Sequence, residues 1–149
     1  MSVPPLRSPP TADLRIAQEV SRLILAVAQR LQDNFAARAS RLGLTALQAK
    51  LLIALPPGES VPMRVLAERL RCDPSNLTGL VDKLESRDVV RRRPDPVDRR
   101  VKALTLTDRG ADLRSAFWGQ MISDAGPLAH LSVDQLHDLR DHLRVTLGE

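Results

Sequence analysis

The stretch LAERLRCDPSNLTGLVDKLESRDVVRRRPDPVDRRVKALTLTDRG, Leu66–Gly110, contains two short helices, a tight turn between them and a basic hairpin. Its clearest punctuation is Asp73-Pro74. A capping carboxylate followed by proline at the first helical position starts a helix, because proline lacks an N–H that would go unpaired there anyway. From that start Leu77, Leu80, Val81 and Leu84 recur at helical spacing to about Ser86. Ser75, Asn76, Thr78, Gly79, Asp82 and Lys83 fall on the other faces. Before the turn, Val65, Leu66, Ala67 and Leu70 mark a second helix, with Pro62 in its first turn. After Ser86, Val89-Val90 opens an extended segment. Pro94-Asp95-Pro96 excludes helix and suits a turn. Val101–Leu106 then alternates apolar and polar with the period of a strand.

Working outward, apolar residues repeat every 3.6 positions from Leu14 to about Arg41: Val20, Leu23, Ile24, Val27, Leu31 and Phe35. This predicts one long helix, capped by Thr11 or Asp13, whose apolar stripe needs a partner. Gly43 ends it, and Thr45 can cap a helix from Ala46 to about Leu55. Pro56, Pro57 and Gly58 stop that helix, and Ser60-Val61 suits a very short strand. Beyond the hairpin, Thr107 or Asp108 caps a helix through about Asp124, and Gly126-Pro127 breaks it. Ser132 and Gln135 have capping-box spacing for a last helix, with Leu136, Leu139, Leu143 and Val145 as its candidate buried face. Four prolines and few apolar residues leave the first twelve residues reading as a disordered tail.

Composition narrows the function. The chain has 149 residues, 43% of them hydrophobic and 27% charged, which suits one globular domain with its own core. Its single cysteine, Cys72, excludes an internal disulfide. Nothing resembles a secretory leader or a membrane span, so a cytoplasmic location is expected. The three aromatics, Phe35, Phe117 and Trp118, are too few for a surface that stacks single-stranded bases. Between Arg91 and Lys102, six cationic residues face two carboxylates. That surplus of four equals the net charge of the whole chain, +4. Concentrated positive charge of this kind is the footprint of a polyanion-binding surface.

Two helices joined by a tight turn and followed by a hairpin make a winged helix-turn-helix. A polar helix start fits the major groove, where asparagine can pair with adenine and serine or threonine can reach bases or phosphates. Ser75, Asn76 and Thr78 occupy that position, and Lys83, further along, suits a phosphate. The Leu66–Gly110 stretch resembles the MarR family of bacterial transcription regulators. Its most specific part, DPVDRRVKALTLTDRG at 95–110, is similar to the family's wing pattern D-x-R followed by L-x-L-T-x-x-G. The resemblance extends over nearly the whole chain. It implies a homodimer in which the first and last helices of two subunits interlock, a recognition helix in the major groove and a wing arginine in the minor groove. It assigns groove insertion to Arg100 and the bracing of an arginine to Asp98. Gly79 stands where the family commonly has arginine, and Asp88 where it often has glycine.

The expected fold is therefore mainly α (α+β), with a winged helix-turn-helix at 45–107 and dimerisation segments at 13–42 and 109–149, preceded by the tail at 1–12. The expected DNA-binding residues are Ser75, Asn76, Thr78, Lys83, Arg91, Arg93, Asp98, Arg99 and Arg100. Because Arg91, Arg92 and Arg93 alternate along a strand, not all three are expected to reach DNA. The expected partners are a duplex operator and a second copy, and the resemblance implies a small phenolic or lipophilic effector as well. Phe35, Phe117 and Trp118 either line an effector pocket or pack the core or dimer contact. Cys72 is either incidental or the sensor of a redox-responsive regulator, and a helical interaction protein that does not bind DNA is a further alternative. No catalytic constellation, cofactor motif or metal motif stands out: His137 and His142 are five apart and share no helix face.

Overall fold

The computed structural model describes residues 11–122 and 125–149; residues 1–10 of the expected tail and the predicted helix end at Asp124 fall outside them, whereas Thr11 and Ala12, expected in the tail, already belong to the first helix. The chain divides into two compact units, residues 34–125 and the remainder. In the first unit, Thr45 opens α2 (Ala46–Ala54) with a complete capping box: its hydroxyl accepts from the Gln48 amide at 3.2 Å, and the Gln48 side chain accepts from the Thr45 amide at 2.9 Å. Then follow β1 (Val61–Pro62), α3 (Met63–Leu70) and α4 (Pro74–Glu85). Arg71 makes the turn between α3 and α4 in the left-handed region, φ 48°.

The hairpin strands β2 (Val90–Pro94) and β3 (Lys102–Leu106) pair antiparallel, Val90 opposite Leu106 and Pro94 opposite Lys102. β1 adds to the free edge of β3, with Val61 opposite Leu104, so the sheet order is β1-β3-β2. Helices α2, α3 and α4 and this sheet, joined by Ala39 and Phe117 from the helices that precede and follow them in the chain, enclose one core. Leu51, Leu52 and Leu55 from the α2 region meet Leu66 from α3, Leu77, Val81 and Leu84 from α4, and Val89, Val90 and Leu104 from the sheet region. Removing one such leucine side chain costs about 2–5 kcal/mol. Asp88, in the left-handed region at φ 55°, turns the chain from α4 into β2, a conformation aspartate tolerates better than most residues.

α5 (Asp108–Ile122) starts against the hairpin. The Thr107 hydroxyl donates to the Asp88 carbonyl at 2.6 Å and accepts from the Gly110 amide at 3.0 Å. One side chain thus ties the end of β3, the start of β2 and the first turn of α5. The L-T-x-x-G ending of the motif has its physical reason here: the threonine makes the tie, and the glycine lets the helix approach the Val89 backbone.

α1 (Thr11–Arg41) begins in the second unit and continues into the first. The second unit also holds α6 (Val133–Leu147), opened by the Ser132–Gln135 capping box and closed by Gly148 at φ 76°. The expected buried face of α6 is not buried. Leu136 is half-buried, whereas Leu139, Leu143 and Val145 are exposed. The stripe of α1 behaves alike: Val20, Leu23, Ile24, Val27 and Leu31 are all exposed. Periodicity reports that a face needs covering; it does not say whether the cover comes from the same chain.

Candidate nucleic-acid interface

α4 carries Ser75, Asn76, Thr78 and Lys83 on its exposed surface, as Leu77, Val81 and Leu84 turn into the core. Asp73 occupies the cap position, yet its carboxylate caps no backbone amide. It accepts instead from the Ser75 hydroxyl at 2.8 Å and from Asn76 Nδ2 at 2.7 Å. The Thr78 hydroxyl donates back to the Pro74 carbonyl at 2.9 Å. The polar residues at the helix start are therefore held rather than free to rotate. Beside them Gly79 leaves open space: a Cβ there would meet nothing within 4 Å. Ser75, Asn76, Gly79 and Lys83 line one side of a shallow groove of about 570 Å³.

The hairpin is joined to α4 by Arg92. Its guanidinium bridges Asp82 and Glu85 on α4 and reaches the Thr78 carbonyl at 3.5 Å, and its amide donates to Glu85. Burial alone lowers the Arg92 pKa, but hydrogen bonds and attraction from Asp82 and Glu85 outweigh it and hold it above its ordinary value. Arg92 is thus spent inside the protein, on fixing the wing relative to the helix. The motif reading missed this role. Strand alternation was the available signal, because it puts Arg92 on the same face as Val90, toward α4. Arg91 and Arg93 project from the opposite face, around a polar recess shared with Thr105, Thr107 and Arg109. Arg91 also sits 3.6 Å from Asp88. The structure does not gather Arg91 and Arg93 with the exposed residues of α4.

Loss of the Arg92 bridge leaves two carboxylates one turn apart on α4 without their cation. Arg92→Ala is expected to lower unfolding free energy by about 1–2 kcal/mol, less than for a buried pair because Asp82 and Glu85 keep solvent contact. Arg92→Lys should recover only part, since an ammonium lacks the planar fork. Urea denaturation measures both; equal midpoints for wild type and Arg92→Ala would remove the bridge as a stabilising element.

The wing tip is organised by aspartates. Asp95 accepts from the amides of Val97 and Asp98 at 2.9 and 3.0 Å, and the Asp95 amide donates to the Val101 carbonyl at 2.8 Å. Asp98 accepts from the Arg100 backbone amide at 3.0 Å. This corrects the expected brace. Among the described residues Asp98 holds no arginine side chain; it fixes the backbone on which Arg100 stands. A short aspartate side chain reaches an amide two residues on more readily than a long, solvated guanidinium. Arg99 and Arg100 are both exposed at the tip.

The remaining expected positions are dispersed. Phe117 is buried and packs edge-to-face on Phe35, ring centres 5.0 Å apart, so this pair fills the core. Trp118 is half-buried, with the Arg114 guanidinium carbon 5.9 Å from its ring centre. Cys72 lies half-buried in the turn before α4, its thiol donating to the Asp73 carbonyl at 3.4 Å. No group of potential metal ligands occurs among the described residues, and no described helix is long and apolar enough to cross a membrane.

A helix with an exposed polar start, locked to a hairpin with a cationic tip, is the reading head of a winged helix DNA-binding protein. Residues 44–102 match the MarR family profile. The transcriptional repressor NicR of Pseudomonas putida is 30% identical over 122 residues, spanning 82% of this chain and 75% of that protein. The repressor MdtR of Bacillus subtilis is 29% identical over 96 residues; that match spans 64% of this chain and 62% of MdtR. Among solved structures, CouR from Rhodococcus jostii RHA1 bound to p-coumaroyl-CoA superimposes with a TM-score of 0.72 at 27% identity, covering 86% of this chain and 91% of CouR. The chain belongs to the MarR family, whose members are DNA-binding transcription regulators and not enzymes.

Proposed function

We propose that this chain acts as a homodimeric repressor that binds a pseudo-palindromic operator and is released by a small phenolic or lipophilic effector. The observation that carries the DNA-binding surface is the tie between β2 and α4 through Arg92, which fixes the hairpin that bears the cationic tip relative to the helix that bears the exposed polar start. In this reading Ser75, Asn76 and Thr78 meet base edges or phosphates in the major groove, and Lys83 meets a phosphate. Arg100 enters the adjacent minor groove, where narrow A·T-rich segments focus negative potential on an arginine. Arg99 contacts the backbone nearby. Arg91 and Arg93, on the other face of the hairpin, contribute to long-range attraction of the polyanion.

The exposed apolar positions of α1 and α6 support the homodimer. Leu25, at 70% exposure, and Leu147, at 72%, are too apolar for a face left in water. NicR and MdtR support repression, and CouR's bound p-coumaroyl-CoA supports an organic effector. Trp118 and Phe35 are half-buried and keep surface to meet such a molecule, whereas Phe117 is buried. Differential binding of an effector to two dimer shapes is worth about 1–3 kcal/mol of coupling.

Selection of bound sites from random duplex DNA tests the reading. Two inverted half-sites about 10 base pairs apart, centre to centre, are the expected product of a two-fold dimer. Recovery of unordered sequence, or of single half-sites only, would refute the dimeric operator.

A further inference from the structure

We propose that Asp73 is a specificity-determining residue: its carboxylate, hydrogen-bonded to both Ser75 and Asn76, fixes which base edges the start of α4 accepts. The inference rests on the DNA-binding reading above and adds to it a statement of base preference. Asp73 departs from an ordinary helix cap. Such a residue directs its side-chain oxygen at a backbone amide of the first turn. Here both oxygens are spent on side chains instead, Oδ1 on the Ser75 hydroxyl at 2.8 Å and Oδ2 on Asn76 Nδ2 at 2.7 Å. All three residues are exposed, so the arrangement is built at the surface and not imposed by the core.

The consequence is a matter of donors and acceptors. A free serine hydroxyl rotates to donate or accept, and so tolerates any base. With its one hydrogen given to Asp73, Ser75 presents lone pairs only. It then favours the amino groups of adenine and cytosine and disfavours the keto oxygens of guanine and thymine. Asn76 gives one of its two amide hydrogens to Asp73. It retains one hydrogen and its Oδ1, the pair of groups that matches N7 and N6 of adenine. Asp73 also sets the plane of that amide before DNA arrives, so less side-chain freedom is lost on binding. The start of α4 is thus a reader of amino bases, with adenine at the Asn76 position.

The test compares binding-site selection by wild type, Asp73→Ala and Ser75→Ala, using random duplex DNA at one salt concentration. The wild-type half-site should contain adenine at one major-groove position, with adenine or cytosine at a neighbouring one. Asp73→Ala should admit guanine or thymine there, raising their share about five- to tenfold, in line with the removal of one base-edge hydrogen bond. Ser75→Ala should lose preference at the same position only. The salt dependence of binding should be unchanged in Asp73→Ala, because no cationic group facing phosphate is removed. Asp73→Asn, which keeps the size of the side chain but has one acceptor oxygen in place of two, should relax the preference partway, and thermal melting verifies that each variant is folded. An Asp73→Ala half-site identical to that of wild type would overturn the role of Asp73 and leave the DNA-binding reading intact. Failure of the wild type to select any sequence would overturn both.

Discussion

Gly110→Ala is expected to be the most destabilising small change in the chain. The added Cβ would lie 1.9 Å from the Val89 carbonyl oxygen, 3.0 Å from the Val89 carbonyl carbon and 3.2 Å from Leu106 Cδ2. Two of these three atoms are backbone, held in place because the Thr107 amide donates to the Val89 carbonyl oxygen and the Thr107 hydroxyl donates to the preceding Asp88 carbonyl. A flexible side chain can rotate away from an intruding methyl; this carbonyl cannot without breaking the junction of β2, β3 and α5. Overpacking usually costs about 1–3 kcal/mol, and an approach this short against backbone belongs at or above the upper end. For a chain of this size that corresponds to a melting temperature lower by about 10 °C. Gly79→Ala is the matched control. It adds the same methyl to a helix in open space and should be neutral or stabilising, by up to about 1 kcal/mol, since alanine favours helix over glycine. Equal melting temperatures for Gly110→Ala and wild type would mean that α5 does not approach Val89 this closely.

Arg100→Ala is expected to have the largest effect on DNA affinity while leaving stability nearly unchanged. Arg100 is exposed, and among the described residues no carboxylate pairs with its side chain, so removing it costs the fold little. In the minor groove the same side chain would face focused negative potential. Its removal should weaken operator binding about 10- to 100-fold and reduce the slope of log affinity against log salt by about one for each phosphate that Arg100 neutralises. Asp98→Ala should weaken binding less and leave the slope unchanged, because Asp98 acts on the Arg100 amide and touches no phosphate. Titration of a labelled operator at several salt concentrations separates the two. Unchanged affinity and slope in Arg100→Ala would remove the wing from the interface.

Much of the architecture was legible in local sequence because it depends on residues a few positions apart. Thr45 with Gln48 and Ser132 with Gln135 are complete capping boxes. Pro74 starts α4, and the alternation in Val101–Leu106 corresponds to β3. The exposed set on α4 follows from helical period once Leu77, Val81 and Leu84 are taken as the inward face. Asp88 adopts the positive φ that a substitute for glycine requires. The candidate site was legible as a list of exposed polar and cationic residues, but only in part as a set of roles. Asp73 read as a backbone cap, and the pull of Ser75 and Asn76 on its carboxylate appears only when side-chain positions are known. Asp98 read as a partner for a guanidinium, and the loop geometry gave it an amide instead.

The sequence by itself determined the order of elements, their caps and the concentration of charge in the hairpin, since short-range hydrogen bonding, helical and strand periods and charge counts need no long-range contacts. Strand alternation set Arg92 apart from Arg91 and Arg93, but only tertiary structure decided which partners each side chain meets. Arg92 turns to Asp82 and Glu85 across a gap of seven to ten residues, whereas Arg91 and Arg93 face the opposite side of the sheet. It also decided why Gly110 has to be glycine, because the carbonyl it approaches belongs to Val89, just ahead of β2 and far back along the chain. A neighbour of that kind exists only after β2, β3 and α5 have converged, and no local pattern encodes it.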